Sequence, residues 1–453
     1  MTLRFFALFF ILCLILTRTA VAQNYPDQSY VLRIDSLMAN IESNDGLALS
    51  GDGQKLTLQP DRTDGSVTLK PQYSSSPFNW GLPSWNGTAP DDSGAFKIQM
   101  RFPAGAGWSS WLTVGFWKAN IWSSYGALSS GVSTVDYDNV TFSSYVSSWQ
   151  FKIIMTRTTV SVASPTIHKL SFCVSDTRTT AAFDSTKTVN DKPAQIFIPT
   201  TFIYQYGVDP VIGGSICSPT SVSMILRSYN ITVDPLQFAR DTYDPHFGMY
   251  GIWPRVVQNA SEYGLDGAVT QYRSWSQARE VLANGGRISM TVGPPLYTGH
   301  LIMLAGFNAA GNPIVHDPAR SNGYSYVFNK GDLSKSWFAK GGVAYTFFPA
   351  GSHTSVGRSA GRELTAQGYR LDQNYPNPFN PSTTIRFTIL QTGHVTLTVY
   401  NAIGAEVATL LSQEVAGGSH EIIWNAGNLP SGTYFYRLQA GGFVETKRLI
   451  LLK

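Results

Sequence analysis

The chain has 453 residues, of which 14% are charged and 13% aromatic, and its formal net charge is +4. This length predicts two to four domains. A net charge this small, without a cluster of basic residues, argues against nucleic acid or another polyanionic partner. Low charge with abundant glycine, serine and threonine is typical of secreted, strand-rich proteins and excludes a disordered chain.

Residues 1–22 have the pattern of a secretory signal peptide. Arg4 supplies the positive start, residues 5–16 form the apolar core, and Ala20-Val21-Ala22 provides a small-residue cleavage site. The apolar stretch is short for a membrane span, so an uncleaved anchor is the weaker alternative. We therefore expect an exported protein.

The sequence contains three cysteines, and Cys13 leaves with the signal peptide. Cys173 lies in an apolar strand pattern, which is typical of an inert core residue. Two remaining cysteines are too few for a disulfide scaffold. A pairing of Cys173 with Cys217 stays open, and it would leave Cys217 unreactive.

Residues 25–178 predict a β-sandwich accessory domain. Short alternating or apolar runs recur between Asp, Gly, Ser and Pro, with almost no helical period; they include residues 56–58, 67–70, 96–101 and 150–155. This region is also rich in tryptophan. Core or inter-domain packing is the favoured interpretation, because tryptophan usually buries most of its area. A carbohydrate-stacking platform is the alternative for this set, which comprises Trp80, Trp85, Trp108, Trp111, Trp117 and Trp122.

Residues 195–350 predict an α+β domain, which follows a polar linker at 177–194. Helical patterns come first and strands follow, as in a domain with a mainly antiparallel sheet. Asp234 and Ser274 are predicted N-caps. The predicted helices begin near Pro219, Pro235, Trp253 and Trp275, and the predicted strands cover residues 287–292, 300–307, 313–317 and 343–348.

Cys217 is the candidate nucleophile. It stands between the loop Gly213-Gly214 and a predicted helix in which Pro219 suits the first turn. A thiol at a helix N-terminus lies close to unpaired backbone N–H groups and to the positive end of the helix dipole, and both favour the thiolate. A buried structural cysteine is the alternative.

His300 and Asp317 are the candidate base and its orienting acceptor. His300 begins a buried-strand pattern, and Asp317 ends the next one. If the two strands form a hairpin in which Phe307 pairs with Asn312, Asp317 lies diagonally opposite His300 on the same face. A register slip of one residue would place His316 there instead.

Gln205 is the candidate oxyanion donor. Its side-chain amide and the backbone N–H of Cys217 could together stabilise a developing oxyanion, at roughly 3–4 kcal/mol per donor. An ordinary surface glutamine is the alternative. Asp244 and His246 lie in a loop predicted to form a cleft wall. No convincing spacing of metal ligands is present, so we expect neither a metal nor a cofactor.

Four motifs, in this order, resemble the papain-like cysteine peptidases related to the bacteriocin leader-processing peptidases. They are Gln205, then Ile216-Cys217-Ser218-Pro219, then Gly299-His300-Leu301-Ile302, and then His316-Asp317-Pro318. The resemblance implies a papain-like fold in the central domain, with Cys217 as nucleophile, His300 as base, Asp317 as orienter and Gln205 in the oxyanion hole.

The chain departs from that family in two places. Ser218 stands where the family usually has glycine, and Gln205 is further from Cys217 than in the leader-processing enzymes. The sequence also has no Walker-type loop of a fused transporter. Leader processing is therefore not the expected activity.

Residues 370–453 predict an immunoglobulin-like β-sandwich from five short strand patterns. The motifs resemble the type IX secretion sorting domain; they are residues 371–381, Tyr400-Asn401-Ala402-Ile403-Gly404, residues 429–436 and the closing residues 447–453. The resemblance implies passage across the outer membrane and contact with the type IX secretion machinery. It leaves open whether this domain is removed or stays attached as an adhesive module.

These observations together predict a multidomain, secreted or surface-exposed cysteine peptidase, which cleaves peptide or protein substrates through a Cys-His-Asp acyl-enzyme. A cell-wall amidase or acyltransferase of the same fold is one alternative. The alternative from another class is a catalytically inactive surface protein that binds glycan through residues 25–178.

Overall fold

The computed structural model describes residues 27–452, except for 91, 119–127, 137–138, 179–183, 340, 352–369, 372–373, 375, 390–391, 402–403, 417 and 441–442. The predicted signal peptide (1–22) and Trp122 lie outside the described residues, as does most of the segment between the central and C-terminal domains. Among the described residues, no helix has the length and apolar content needed to cross a membrane.

The N-terminal domain consists mainly of antiparallel strands. Their bounds, with one short helix, are β1 Gln28–Arg33, α1 Ile34–Ala39, β2 Ile41–Asp45, β3 Leu47–Leu49, β4 Leu56–Leu58, β5 Asp64–Leu69, β6 Gln72–Thr88, β7 Gly94–Arg101, β8 Pro103–Ala104, β9 Gly107–Trp108, β10 Leu112–Trp117, β11 Ser129–Ser130, β12 Ser133–Asp136, β13 Asn139–Arg157 and β14 Thr166–Ser175. The longest path through the sheet has the order β10-β7-β13-β6-β14-β4-β3.

Strand β13, with 19 residues, connects the two halves of this domain. Its first half pairs with β6 and β12, and from Gln150 onward it pairs with β5 and β7. Phe78, Trp149 and Phe172 meet edge to face at the centre, with ring centroids 5.2–5.9 Å apart. The domain is therefore strand-rich, as predicted, while the sandwich arrangement stays a prediction.

The tryptophans of this domain are mostly packed. Trp85 and Trp117 are buried, and Trp80 packs against the core of the central domain. Trp108 and Trp111 are half-buried beside Arg101, whose guanidinium carbon lies 5.4 and 4.5 Å from the two ring centroids. The packing interpretation is confirmed for Trp80, Trp85 and Trp117, whereas for the partly exposed Trp108 and Trp111 it stays a prediction.

The central domain has helices around an antiparallel sheet. Its elements are β15 Ile196–Phe197, α2 Gln205–Val208, α3 Cys217–Ser228, α4 Pro235–Thr242, α5 Trp253–Glu262, β16 Leu265–Gln271, α6 Trp275–Ala283, β17 Arg287–Val292, β18 His300–Phe307, β19 Pro313–His316, α7 Lys330–Phe338 and β20 Val343–Pro349. The sheet order is β15-β18-β17-β20-β16, with β19 on β18. Asp234 and Ser274 cap α4 and α6 through their side chains, as predicted.

Three elements of this domain, α2, β16 and α7, were not predicted. Strand β16 contains Asp266 and Gly267, which are both disfavoured in strands. They are retained by contacts with the N-terminal domain: Asp266 pairs with Lys169 at 2.5 Å, and Gly267 exchanges two hydrogen bonds with the Asn86 side chain. Helix α7 contains two serines and one glycine among its nine residues, and it is capped by Asn329. The linker predicted at 177–194 also contains a 3-10 helix, Ser185–Asn190.

The C-terminal domain has two small antiparallel sheets. Their strands are β21 Arg370–Leu371, β22 Ser382–Ile389, β23 Gly393–Tyr400, β24 Glu406–Val415, β25 Gly418–Asn425, β26 Gly432–Ala440 and β27 Phe443–Leu451, in the orders β21-β22-β25 and β24-β23-β26-β27. The five predicted strands are present, and β21 and β24 were missed. The immunoglobulin-like arrangement stays a prediction.

Candidate active site

Helix α3 places Cys217 at the edge of the sheet. Its apolar residues Val222, Ile225 and Leu226 are fully buried, and the Ser221 hydroxyl donates to the Leu301 carbonyl at 2.9 Å. The helix therefore lies across β18 and begins beside the first residue of that strand. No side chain caps this N-terminus, so its first N–H groups stay available to an anion.

The half-buried Cys217 thiol is surrounded by hydrogen-bond donors. The His300 side chain and the backbone N–H groups of Leu301 and Ser218 lie beside the sulfur, and each lowers the pKa of the thiol. Neither Cys217 nor Cys173 is in a disulfide. Cys173 is buried, with its thiol 3.5 Å from Gln271 Oε1, and burial raises its pKa. The alternative of a Cys173–Cys217 pair is therefore wrong.

His300 and Asp317 meet directly. His300 Nε2 lies 2.8 Å from Asp317 Oδ1, and both side chains are buried. An ionised carboxylate only accepts hydrogen bonds, so Nε2 carries a proton. This leaves Nδ1 as the ring nitrogen that faces the Cys217 thiol.

The pairing of β18 with β19, which produces this contact, differs from the predicted register next to the hairpin loop. Phe307 pairs with Pro313, not with Asn312, so that predicted pair is wrong by one residue. A β-bulge then adds one residue to β18 between Leu304 and Gly306. On the side of the bulge toward His300, the strands pair in the predicted register. Gly306 is required at the bulge, because its φ is +149° and an added Cβ would lie 2.0 Å from the Ile196 carbonyl oxygen.

His316, the alternative to Asp317, lies elsewhere. Its ring stacks on Tyr324 with centroids 4.6 Å apart, and its Nδ1 accepts the Ser325 N–H at 3.1 Å. Burial lowers its pKa to about 4. His316 is therefore a neutral, packed residue at neutral pH.

The charges of the site reinforce one another. Burial raises the pKa of the Cys217 thiol, but the hydrogen bond and charge of His300, with the two backbone N–H groups, lower it below its ordinary value. Burial lowers the pKa of His300, whereas its bonds to Asp317 and Cys217 raise it, to about 9. Both shifts favour the charged pair, a thiolate and an imidazolium, over the neutral pair.

Gln205 lies between the segments that carry Cys217 and Asp317. Its backbone N–H donates to the Pro318 carbonyl at 2.9 Å, and its side-chain Nε2 donates to the Gly213 carbonyl at 2.7 Å. The side chain is buried, and its Oε1 has no partner among the described residues. Gln205 is therefore not an ordinary surface glutamine.

Ser218 is accommodated by a neighbouring tyrosine. Its hydroxyl and that of Tyr345 share a hydrogen bond of 2.9 Å, and Tyr345 also donates to the Gly251 carbonyl at 3.3 Å. The Ser218 backbone N–H still reaches the Cys217 sulfur. A serine at this position thus leaves the backbone at the nucleophile in place.

Tyr297 is a site residue that the sequence did not predict. Its hydroxyl donates to Asp317 Oδ2, and its ring centroid lies 4.4 Å from that of His300. Tyr297 comes from the exposed loop between β17 and β18, and no local pattern marks it as functional.

The Asp244 loop has a structural role. The buried Asp244 carboxylate accepts the N–H groups of His246 and Phe247 at 2.9 and 3.2 Å, and it lies 3.8 Å from Arg255. Within the described ranges, no group of three or more His, Cys, Asp or Glu side chains could hold a metal ion.

Comparison with family models assigns a similarity to each region. Residues 197–345 match the Peptidase_C39 like family. The central domain is similar to C39 peptidases. Residues 39–175 match the Peptidase C39 N-terminal domain, and residues 373–452 match the secretion system C-terminal sorting domain. The resemblances inferred from the motifs are confirmed. The chain is thus multidomain and mostly β, peptidase-like, and marked for type IX export to the cell surface or the medium.

Individual proteins add little to this. No curated protein matches the chain. Among solved structures, PorZ of Porphyromonas gingivalis has 16% identity over 34% of this chain and 21% of its own, with a TM-score of 0.15. CBM51-2 and INT domains of Clostridium perfringens ZmpB have 10% identity over 94% and 84%, with a TM-score of 0.16. Latent PorU of P. gingivalis has 12% identity over 94% and 34%, with a TM-score of 0.17. The match thus spans about a fifth of the length of PorZ. TM-scores this low carry no argument about fold or function.

Proposed function

We propose that the protein is a secreted cysteine peptidase that cleaves peptide bonds through an acyl-enzyme on Cys217. The series Cys217–His300–Asp317 carries this proposal: His300 is hydrogen-bonded to Asp317, and it lies close enough to Cys217 to lower the pKa of the thiol. A nucleophile, a base and an orienting carboxylate in contact are the minimum set for this chemistry.

In this mechanism the Cys217 thiolate attacks the carbonyl carbon of the scissile peptide bond. The carbonyl oxygen becomes an oxyanion, which the N–H groups at the start of α3 and the Gln205 amide stabilise. His300 then donates its Nδ1 proton to the leaving amine, and the C–N bond breaks to leave a thioester. Next, His300 takes a proton from water, and the resulting hydroxide attacks the thioester. The C–S bond breaks, the carboxylic product is released, and the thiolate–imidazolium pair is restored.

Asp317 keeps the imidazole in the productive orientation and stabilises its charged form. The carboxylate also fixes which ring nitrogen faces the sulfur, because Nε2 is bonded to it at 2.8 Å. The peptidase match supports a peptide or protein substrate. The sorting-domain match supports contact with the secretion machinery, and we propose that residues 1–22 direct the preceding export step.

An electrophilic thiol probe tests the proposal on the full chain. Of the two cysteines outside the predicted signal peptide, we expect an adduct at Cys217 and none at the buried Cys173 of the folded protein. Cys217→Ala should abolish the labelling together with the hydrolysis of a peptide library. Turnover of muropeptides alone would favour the amidase or acyltransferase alternative. Absence of both labelling and turnover would favour an inactive binding protein.

A further inference from the structure

Asp317 is held by more than His300. Its Oδ1 accepts from His300 Nε2 at 2.8 Å and from the Ala319 N–H at 3.0 Å, while its Oδ2 accepts from the Tyr297 hydroxyl. The carboxylate is completely buried. Without Tyr297, one oxygen of a buried charge would lose its donor, which is costly in a protein interior.

The direction of the bond from Tyr297 is fixed by its neighbours. The Arg320 side chain lies near the Tyr297 hydroxyl, and a guanidinium can only donate. The single hydroxyl proton of Tyr297 is therefore free for Asp317, which as a carboxylate can only accept. Asp317 thus accepts from both Tyr297 and His300, with the positive charge of Arg320 nearby.

The position of Arg320 is in turn set by aromatic rings. Its guanidinium carbon lies 4.1 Å from the ring centroid of Tyr326 and 5.7 Å from that of Phe328, and it donates to the Tyr326 hydroxyl at 3.2 Å. Planar stacking of this kind suits arginine. The loop that carries Tyr297 is also anchored, because Ser336 accepts the Gly293 N–H through its carbonyl at 2.9 Å and the Leu296 N–H through its hydroxyl at 3.2 Å.

The ring of Tyr297 has a second effect. It lies against the His300 imidazole, with a centroid distance of 4.4 Å and an angle of 45° between the planes. The ring therefore covers one face of the imidazole near its bond to Asp317. A hydrogen bond shielded from water is stronger electrostatically than an exposed one.

We propose that Tyr297 is a positioning residue of the site: its hydroxyl, which lies beside the charge of Arg320, holds Asp317 in place, and its ring shields the His300–Asp317 bond. This inference rests on the proposed function, because it acts through the Cys217–His300 pair. The titratable and charged groups around Asp317 in the described residues are His300, Tyr297 and Arg320, with Cys217 beyond His300.

Alkylation of Cys217 by iodoacetamide, followed across pH in the full chain, tests the proposal without a substrate. Tyr297→Phe keeps the ring and removes the hydroxyl, so Asp317 becomes easier to protonate and supports the imidazolium less well. We expect the acid limb of the alkylation profile to move to higher pH, with a rate at pH 6 at least about tenfold below that of the unsubstituted chain. Tyr297→Ala should lower the rate further, because the ring is lost too.

Tyr324→Phe is the matched control, since Tyr324 stacks on the neighbouring His316 and should leave the profile unchanged. Continued protection of Cys173 reports that each variant is folded. Arg320→Gln, at a half-exposed position, keeps the test usable if Tyr297→Phe does not fold, and it should shift the acid limb in the same direction.

The outcomes are separable. If the unsubstituted chain reacts with the pH dependence of an ordinary thiol, the proposed function fails. If it reacts as an ion pair while Tyr297→Phe, or Arg320→Gln in its place, gives a superimposable profile, the proposed function stands and the role of Tyr297 is overturned.

Discussion

His300 Nε2 lies 2.8 Å from Asp317 Oδ1, although the residues are 17 positions apart in the chain. The β-bulge between Leu304 and Gly306 allows this contact. It shifts the pairing of β18 with β19 by one residue on the side of the bulge where His300 lies. Helix α3 supplies the third group from the other side. Three separate segments of the central domain thus bring a thiol, an imidazole and a carboxylate together.

The pH profile of peptide hydrolysis follows from these contacts. His300 has a pKa raised to about 9, and the pKa of Cys217 lies below its ordinary value. We expect activity to rise with pH well below the range of a free thiol, to form a plateau, and to fall through about pH 9 as His300 loses its proton. A profile of kcat/KM that rises continuously through pH 9 would contradict the ion pair.

Asp317→Asn removes the charge but keeps the shape of the acceptor. Loss of the carboxylate removes a cause of the raised His300 pKa, so the alkaline limb should move to lower pH. We expect kcat/KM at neutral pH to fall roughly ten- to a hundredfold. Asp61→Asn, at an exposed position, is the control. An unchanged alkaline limb in Asp317→Asn would show that Asp317 does not support the imidazolium.

Gln205→Ala separates oxyanion stabilisation from thiol activation. The substitution removes the side-chain amide, and we expect kcat to fall by about 10²–10³-fold. Alkylation of Cys217 by iodoacetamide forms no oxyanion, so its rate should change little. Gln237→Ala, at an exposed position of α4, serves as the control. Equal losses in both measurements would mean that Gln205 supports the fold and not the oxyanion.

The contact between the N-terminal and central domains should contribute strongly to stability. Asp266 is buried with Lys169 and also pairs with Arg33. Asp266→Ala leaves the Lys169 charge buried without its carboxylate partner, so we expect a loss of about 3–5 kcal/mol in the free energy of unfolding. Asp45→Ala breaks a pair with Arg62 in which Asp45 is 69% exposed, and should cost less than about 1 kcal/mol. Denaturant unfolding measures both; equal effects would contradict a buried interface.

This ion pair also predicts the effect of acid on stability. The pKa of Asp266 lies below its ordinary value, because the charges of Lys169 and Arg33 outweigh the effect of burial. A carboxylate with a lowered folded-state pKa stabilises the fold above its unfolded-state pKa, near 4. Its contribution should therefore be intact at pH 5 and be lost only as the pH falls below about 4.

The chemistry of the site could be predicted because it depends on residue type and local pattern. Cys217 before a helix, His300 at the start of a strand and Asp317 at the end of the next are visible in the sequence. The register of the β18–β19 hairpin could not be predicted from local pattern, since the bulge at Gly306 depends on the close approach of the Ile196 carbonyl. The predicted pairing of Phe307 is wrong by one residue, and the bulge shifts the register by one residue in the compensating direction. The contact between His300 and Asp317 is therefore present.

Other features depend on contacts between distant segments. Tyr297 is functional in our proposal only because its loop is anchored to Ser336 and its hydroxyl reaches Asp317. Strand β16 has weak strand formers, which are held by Asn86 and Lys169 of the N-terminal domain. No periodicity within either segment carries that information.

Rapid-quench mass spectrometry of the full chain with a peptide substrate tests the central claim most directly. We expect a transient mass increase on the Cys217-containing peptide, equal to the acyl part of the substrate. We also expect that Cys217→Ala shows neither this adduct nor hydrolysis. Hydrolysis that persists in Cys217→Ala, or a covalent adduct on another residue, would contradict that claim.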